Sequence, residues 1–285
     1  MNIIDKELNK LSIACDNFSI LQDKDGITVA RIVSGEKSYV VKCFQKDEHK
    51  REMGNYRLLE SLGVPTIRVI ASTDSALLLE DIDCSPVYRL GIEEDMSDPA
   101  VVRRIAEWYK QLHSQGYGYV CQNGEPMYDE ADFFTLENIA SIKDKTETQD
   151  APAWGLLEQN YAAISDLLRK ARRTITYNDF YYTNMVVAKD NSSALMFDYN
   201  LLGKGYAYTD VRNVLSSLSE EAGKAFLKEY GKFDPAEKAL DDVVSVVVTL
   251  HLACLRENFP WWAQTLLDEL NTTFIEKIEL LRRFQ

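Results

Sequence analysis

With 285 residues, 46% of them apolar and 27% charged, the chain can bury one large core or two smaller ones without disulfides or a structural metal. Its formal net charge of −13 repels nucleic acid phosphates and anionic lipid, which sets those partners aside, and suits a cationic small molecule if the acids converge on a cleft. Five scattered cysteines and three distant histidines form no CxxC pair and no zinc spacing, a pattern that belongs to a reducing compartment.

Residues 1–6 lack a basic start followed by an apolar run, so they do not read as a signal peptide. Residues 17–22 are a short strand candidate, and Asp23-Lys24-Asp25-Gly26 is a turn. Residues 27–33 alternate and are β-branched, Ser34-Gly35-Glu36-Lys37 turns again, and 38–44 make a third strand, giving an antiparallel meander. The period then changes. Met53, Tyr56, Leu58, Leu59 and Leu62 are spaced for a helix over 46–62, which Gly63 and Pro65 stop. Residues 67–71 and 76–79 are two further strands around Ser72-Thr73-Asp74-Ser75. The first 80 residues thus read as five strands with one helix inserted after the third.

From residue 97 the pattern is mainly helical. Asp98 and Pro99 start a helix whose apolar face is Val102, Ile105, Trp108, Tyr109 and Leu112, and Gly116 with Gly118 is expected to end it. Residues 122–150 are polar and read as loop with short helices, and 156–171 as a helix. Two short β runs, 185–188 and 194–197, flank Lys189-Asp190-Asn191-Ser192-Ser193, and helices resume from about 210. The most apolar stretch, 243–255, is broken by Ser245, Thr249 and His251 and is too short to span a bilayer. A cytoplasmic protein is expected. Cys43 and Cys254 lie in apolar runs and read as small core residues.

The chemistry sits in the β interruption. Asp179, four intervening residues and Asn184 have the spacing of a phosphoryl-transfer loop, in which the acid faces the attacking hydroxyl and the amide oxygen binds Mg²⁺. Asp198, directly after Leu195-Met196-Phe197, supplies a second metal ligand. Such a pair alone is commonplace in turns. Upstream, Lys42 stands in the otherwise apolar Tyr39-Val40-Val41-Lys42-Cys43-Phe44, where a lysine is costly to bury unless paired. It is either an edge-strand lysine facing solvent or a phosphate-binding lysine held by a helix acid, for which Glu52 is the candidate. The ordered set Lys42, Glu52, Asp179, Asn184 and Asp198 favours the second reading.

These residues resemble the aminoglycoside phosphotransferase and choline kinase family, the small-molecule branch of the protein-kinase-like fold, over nearly the whole chain. Arg51-Glu52 through Gly63-Val64-Pro65 is similar to the family's helix and its exit. Leu77 to Ile82 resembles the segment joining the lobes, Gln111-Leu112-His113-Ser114 a Leu-His-Ser helix ending, and Gly205 to Val211 the stretch whose acid, here Asp210, supports the catalytic loop. The resemblance implies an α+β, bilobal fold: a five-stranded antiparallel nucleotide-binding lobe over 1–80, a hinge at 81–84, and a mainly helical catalytic lobe over 85–285. It implies an ATP-dependent transfer to a hydroxyl of a small molecule, an amine-bearing one being favoured by the acidic charge. Asp179 would be the base, Asn184 and Asp198 the Mg²⁺ ligands, Lys42 and Glu52 the phosphate-binding pair, and Glu80 and Ile82 the adenine contacts. ATP or GTP as donor, the acceptor and the oligomeric state stay open.

The chain departs from the family in two places. Tyr177-Asn178-Asp179 replaces a His-Gly-Asp or His-Asn-Asp string, so the loop lacks its usual bracing histidine, and Tyr181-Tyr182 replaces His-Pro. These departures motivate a rival, a nucleotide-binding module without turnover. A protein kinase is disfavoured by Tyr199-Asn200 after Asp198 and by the lack of Asp-Phe-Gly and Ala-Pro-Glu strings. Trp261 and Trp262 could stack on a sugar or an amine, but helix packing behind Pro260 is the plainer expectation. Asp241, Asp242 and Asp268 could likewise face an amine or serve ordinary helix and surface roles.

Overall fold

A computed structural model describes residues 3–123 and 127–284, so the first two residues, 124–126 of the polar segment and Gln285 lie outside the described residues. The chain opens with a helix the sequence reading passed over, α1 (Ile3–Lys10). Strands β1 (Asn17–Lys24), β2 (Ile27–Ser34) and β3 (Lys37–Phe44) follow as the expected meander. Asp25 and Gly26 have φ of 56° and 85° between paired Lys24 and Ile27. Two positive-φ residues make the turn whose twist matches a hairpin, and glycine takes the second at no steric cost. Then come α2 (Arg51–Ser61), β4 (Val69–Ser72) and β5 (Ala76–Glu80). The five strands form one antiparallel sheet in the order β1-β2-β3-β5-β4.

Strand alternation gives this sheet two different faces. Ala30, Ile32, Val41, Cys43, Ala76 and Leu78 form a core with Ile4 and Leu8 of α1. Each of those two side chains contributes about 1.5–3 kcal/mol on burial. Glu7, 1% exposed, is satisfied there by Lys10 at 2.9 Å and the Thr73 hydroxyl at 2.6 Å. The opposite face carries Arg31, Val40 and Lys42. Because β3 is hydrogen-bonded to both β2 and β5, Lys42 is central, and the edge-strand alternative fails.

The chain continues through β6 (Tyr88–Leu90) and α3 (Pro99–Gln122). Here the structure corrects the expected boundary: α3 runs through Gly116 and Gly118 for a further turn. A helical glycine costs only about 1 kcal/mol, and Gly116 is itself buried. Next are α4 (Leu136–Lys145), α5 (Pro152–Lys170), β7 (Thr174–Thr176), β8 (Met185–Ala188), β9 (Ala194–Met196) and β10 (Gly203–Gly205). Helices α6 (Ala207–Leu215), α7 (Glu220–Tyr230), α8 (Pro235–Cys254), α9 (Trp261–Glu269) and α10 (Thr273–Leu281) complete the chain. The fold is α+β. No helix among the described residues is long and apolar enough to cross a membrane.

Two compact units result. One comprises Met1–Gly116, Tyr177–Leu202 and Asn213–Gly231, and holds the five-stranded sheet and the antiparallel sheet β6-β8-β9. The other comprises Tyr117–Thr176, Gly203–Arg212 and Lys232–Gln285. Its core packs α8 against α4 and α10, with Trp154 and Phe274 edge to face at 6.2 Å. Asp241, only 1% exposed, is paired there with Arg212 at 2.7 Å and bonded by Tyr206 and Thr209. It is a neutralised core acid and leaves no free charge for an amine. Asp242 pairs with Lys238 at 2.6 Å, and Gln264 donates to Asp268 at 3.4 Å.

Trp261 and Trp262 overturn the packing expectation. Pro260 caps α9 as expected, but Trp261 is 87% exposed and Trp262 38%. The inward side of α9 is marked by Ala263, its only buried residue, and by Leu270 directly after its end, and both tryptophans fall beside it. Of the cysteines, Cys43 is buried as expected, whereas Cys254 is only partly so.

Candidate active site

A cleft of about 410 Å³ opens beneath the face of the five-stranded sheet that carries Lys42. Lys42, Glu52, Glu80, Ile82, Asn184 and Asp198 all line it. The sequence separates these residues by up to 156 positions, and the first compact unit brings them together.

Lys42 is 6% exposed and Glu52 is fully buried. The ammonium sits 2.7 Å from Glu52 Oε2 and 2.9 Å from Asp198 Oδ1. Burial alone would depress the Lys42 pKa. The two carboxylates outweigh it, so the pKa is raised and the lysine stays charged. Burial pushes the Glu52 carboxyl up, against the pull of Lys42.

The second half of the site is the segment after β7. Asp179 accepts a hydrogen bond from Asn184 Nδ2 at 3.0 Å. That orients the Asn184 amide, whose Oδ1 accepts no hydrogen bond among the described residues. Burial, then the nearby negative charge of Asp198, raises the Asp179 pKa above the ordinary aspartate value. Asn178 and Asp198 both have left-handed backbone, with φ of 65° and 62°. Such residues store strain that the surroundings must hold.

Side chains from two directions do the holding. The buried Tyr177 donates its hydroxyl to the Phe197 carbonyl. Asn178 Nδ2 donates to Leu201 O at 3.0 Å, Asn55 Nδ2 to Tyr199 O at 2.7 Å and Arg51 Nε to Asn200 O at 2.7 Å. The carbonyls on both sides of Asp198 are thus tied individually, by the two residues before Asp179 and by α2. Tyr177 also packs edge to face on Trp108 at 5.7 Å and on Tyr199 at 6.0 Å. The tyrosine that replaces the usual histidine therefore has a bracing partner of its own. Tyr177→Phe should lower stability by about 1–2 kcal/mol, because a carbonyl loses its donor. It should also slow turnover about tenfold, because the backbone directly before Asp198 loses its tie. Urea titration and initial rates on the same preparation check both.

The sequence reading missed Asn55, Asn178 and Tyr199. Nothing in their spacing marks Asn55 and Asn178, since each acts on a backbone carbonyl remote in sequence, whereas Tyr199 donates its hydroxyl to Met196 O three residues back and serves as a packing surface. The Tyr181 and Tyr182 rings lie 4.7 Å apart beside Asn184, with Tyr181 52% exposed.

The sequence model of the phosphotransferase enzyme family matches residues 22–243, which takes in both halves of this site. The chain belongs to that family. Among solved structures, this phosphotransferase is similar to the choline kinase LicA from Streptococcus pneumoniae, with a TM-score of 0.63 at 14% identity over 97% of this chain and 98% of that one. A choline/ethanolamine kinase family protein from Mesorhizobium loti gives 0.65 at 13% identity over 99% and 100%. The spectinomycin phosphotransferase APH(9)-Ia, solved with ADP and spectinomycin, gives 0.59 at 13% identity over 99% of each chain. At such identities the likeness is one of fold, and it identifies the phosphotransferase's architecture as protein-kinase-like. No curated protein sequence gives a match.

Proposed function

We propose that this phosphotransferase moves the γ-phosphate of ATP to a hydroxyl of a small molecule. The observation that carries the reading is Lys42, buried in the cleft and shared between Glu52 and Asp198. A charged lysine held out of bulk water is costly to maintain, and its use is to meet an anion such as a nucleotide's phosphates. The solved spectinomycin phosphotransferase with ADP supports a nucleotide donor.

In this reading Glu80 and Ile82 offer backbone groups to the base. Ile82 begins a 3-10 turn, where the first N–H has no intrahelical acceptor. Asn184 and Asp198 would hold Mg²⁺. Two oxygen donors fit an ion that completes its shell with water and phosphate oxygens, and Asn184 Oδ1 accepts no bond from the described residues. When bound, Mg²⁺ would offset charge on the phosphates. Asp179 takes the proton of the acceptor hydroxyl. Its raised pKa makes it a stronger base than an ordinary aspartate, and Asn184 fixes its orientation. An amine-bearing alcohol remains the favoured acceptor, consistent with the net charge of −13.

The test has two stages. Mg-ATP should raise the melting temperature, and a coupled ADP assay over choline, ethanolamine, aminoglycosides, spectinomycin and macrolides should then find an acceptor. Nucleotide binding with no turnover on any hydroxylated acceptor would sink the transferase reading and leave the binding module.

A further inference from the structure

Arg31 lies on β2 between Ala30 and Ile32, whose side chains enter the core against α1. Alternation therefore sends Arg31 to the other face, where it lines the cleft with Val40 and Leu79, its neighbours across the sheet. Its guanidinium donates to Asp81 through Nε at 2.7 Å and through Nη2 at 3.2 Å, and Nη2 also reaches Asp83. The Asp81 carboxylate, 3% exposed, also accepts from the Ser38 hydroxyl at 2.5 Å and the Asp83 N–H at 3.3 Å. Burial alone would raise the pKa of this carboxyl, but the Ser38 and Arg31 bonds bring it below the ordinary aspartate value. The cluster thus pins the turn over residues 82–84 to β2 and β3, at the point where the base is proposed to sit.

A staple between strand and turn would need no more than this, yet Arg31 has capacity left. Its Nη1 makes no hydrogen bond among the described residues, and its side chain is 31% exposed while lining the cleft. We propose that Arg31, oriented by Asp81, is a specificity-determining residue for the donor: it sets the position of the base edge and selects between purines. The inference rests on the nucleotide-donor reading above. None of the motifs that mark the chemistry contains Arg31.

Calorimetric titration of ADP and GDP into the wild type, Arg31→Met and Ser38→Ala tests it. The wild type should bind one of the two nucleotides more tightly. Arg31→Met should change the ADP-to-GDP affinity ratio about tenfold, the scale of one charged hydrogen bond. Ser38→Ala removes one bond of the staple but leaves Arg31 on Asp81, so it should keep the wild-type ratio. If Arg31→Met fails to fold, the pair Arg31→Met with Asp81→Asn leaves no unpaired buried charge and carries the same expectation. A variant that weakens both nucleotides by one factor, or neither, overturns the selectivity role. So does a wild type without preference. A wild type that binds neither nucleotide overturns the donor reading itself.

Discussion

Asp179→Asn is expected to cut turnover about a thousandfold, within the range general-base catalysis supplies, while the melting temperature does not fall. The two outcomes share one cause. Asp179 is partly buried and repelled by Asp198, so its ionised form is disfavoured in the folded state. Asparagine keeps the shape and can still accept from Asn184, but it carries no charge to bury and none to repel. The proposed base is thus held against local stability, as a charge in a poor solvent is. The same shift sets the acid limb of the pH profile. A carboxyl with a raised pKa takes its proton at higher pH than an ordinary aspartate, so kcat/KM should begin to fall at a correspondingly higher pH. Initial rates at saturating nucleotide from pH 4.5 to 8, beside thermal melts, check the prediction. A variant that keeps wild-type turnover removes Asp179 from the role of base.

How far the sequence carried depends on the kind of interaction. The five strands and α2 were legible because local period and turn chemistry determine them: Asp25-Gly26 can only turn, and Met53, Tyr56 and Leu59 can share a face only on a helix. The pairing of Lys42 with Glu52 was legible in outline, since a lysine in an apolar strand must find an acid. What the sequence could not show is how Asp198 is held. Asn55, Tyr177 and Asn178 reach backbone carbonyls, and a carbonyl leaves no trace in side-chain identity. The same limit made Tyr177 look like a deficit: its hydroxyl is aimed at Phe197 O by the packing of Trp108 and Tyr199. The overrun of α3 and the exposed Trp261 are failures of another sort, in which glycine was given too much weight as a breaker and tryptophan too much as a core residue.

Lys42→Met should abolish detectable transfer and destabilise the fold by about 3–5 kcal/mol at pH 8, because it leaves the fully buried Glu52 carboxylate without its partner. The pH dependence separates this cause from mere loss of packing. Burial already raises Glu52 to about 7 in the presence of Lys42, and removing the lysine raises it further. A carboxyl whose folded pKa lies above its unfolded one binds its proton more tightly in the native state. Its stabilising contribution is complete below the unfolded value and is lost as pH rises towards the folded one. The deficit of Lys42→Met against wild type should therefore be small at pH 5 and widen through pH 8. Adding Glu52→Leu removes the stranded charge. That double variant should recover most of the lost stability, since a buried ion pair exchanged for apolar side chains is often neutral. It should not recover turnover, because the cleft still lacks the cation proposed to meet the phosphates. Denaturant titrations of the three proteins at pH 5 and 8, with the coupled assay alongside, separate the two roles of Lys42. A pH-independent deficit would mean that packing, and not the charge on Glu52, is what the lysine protects.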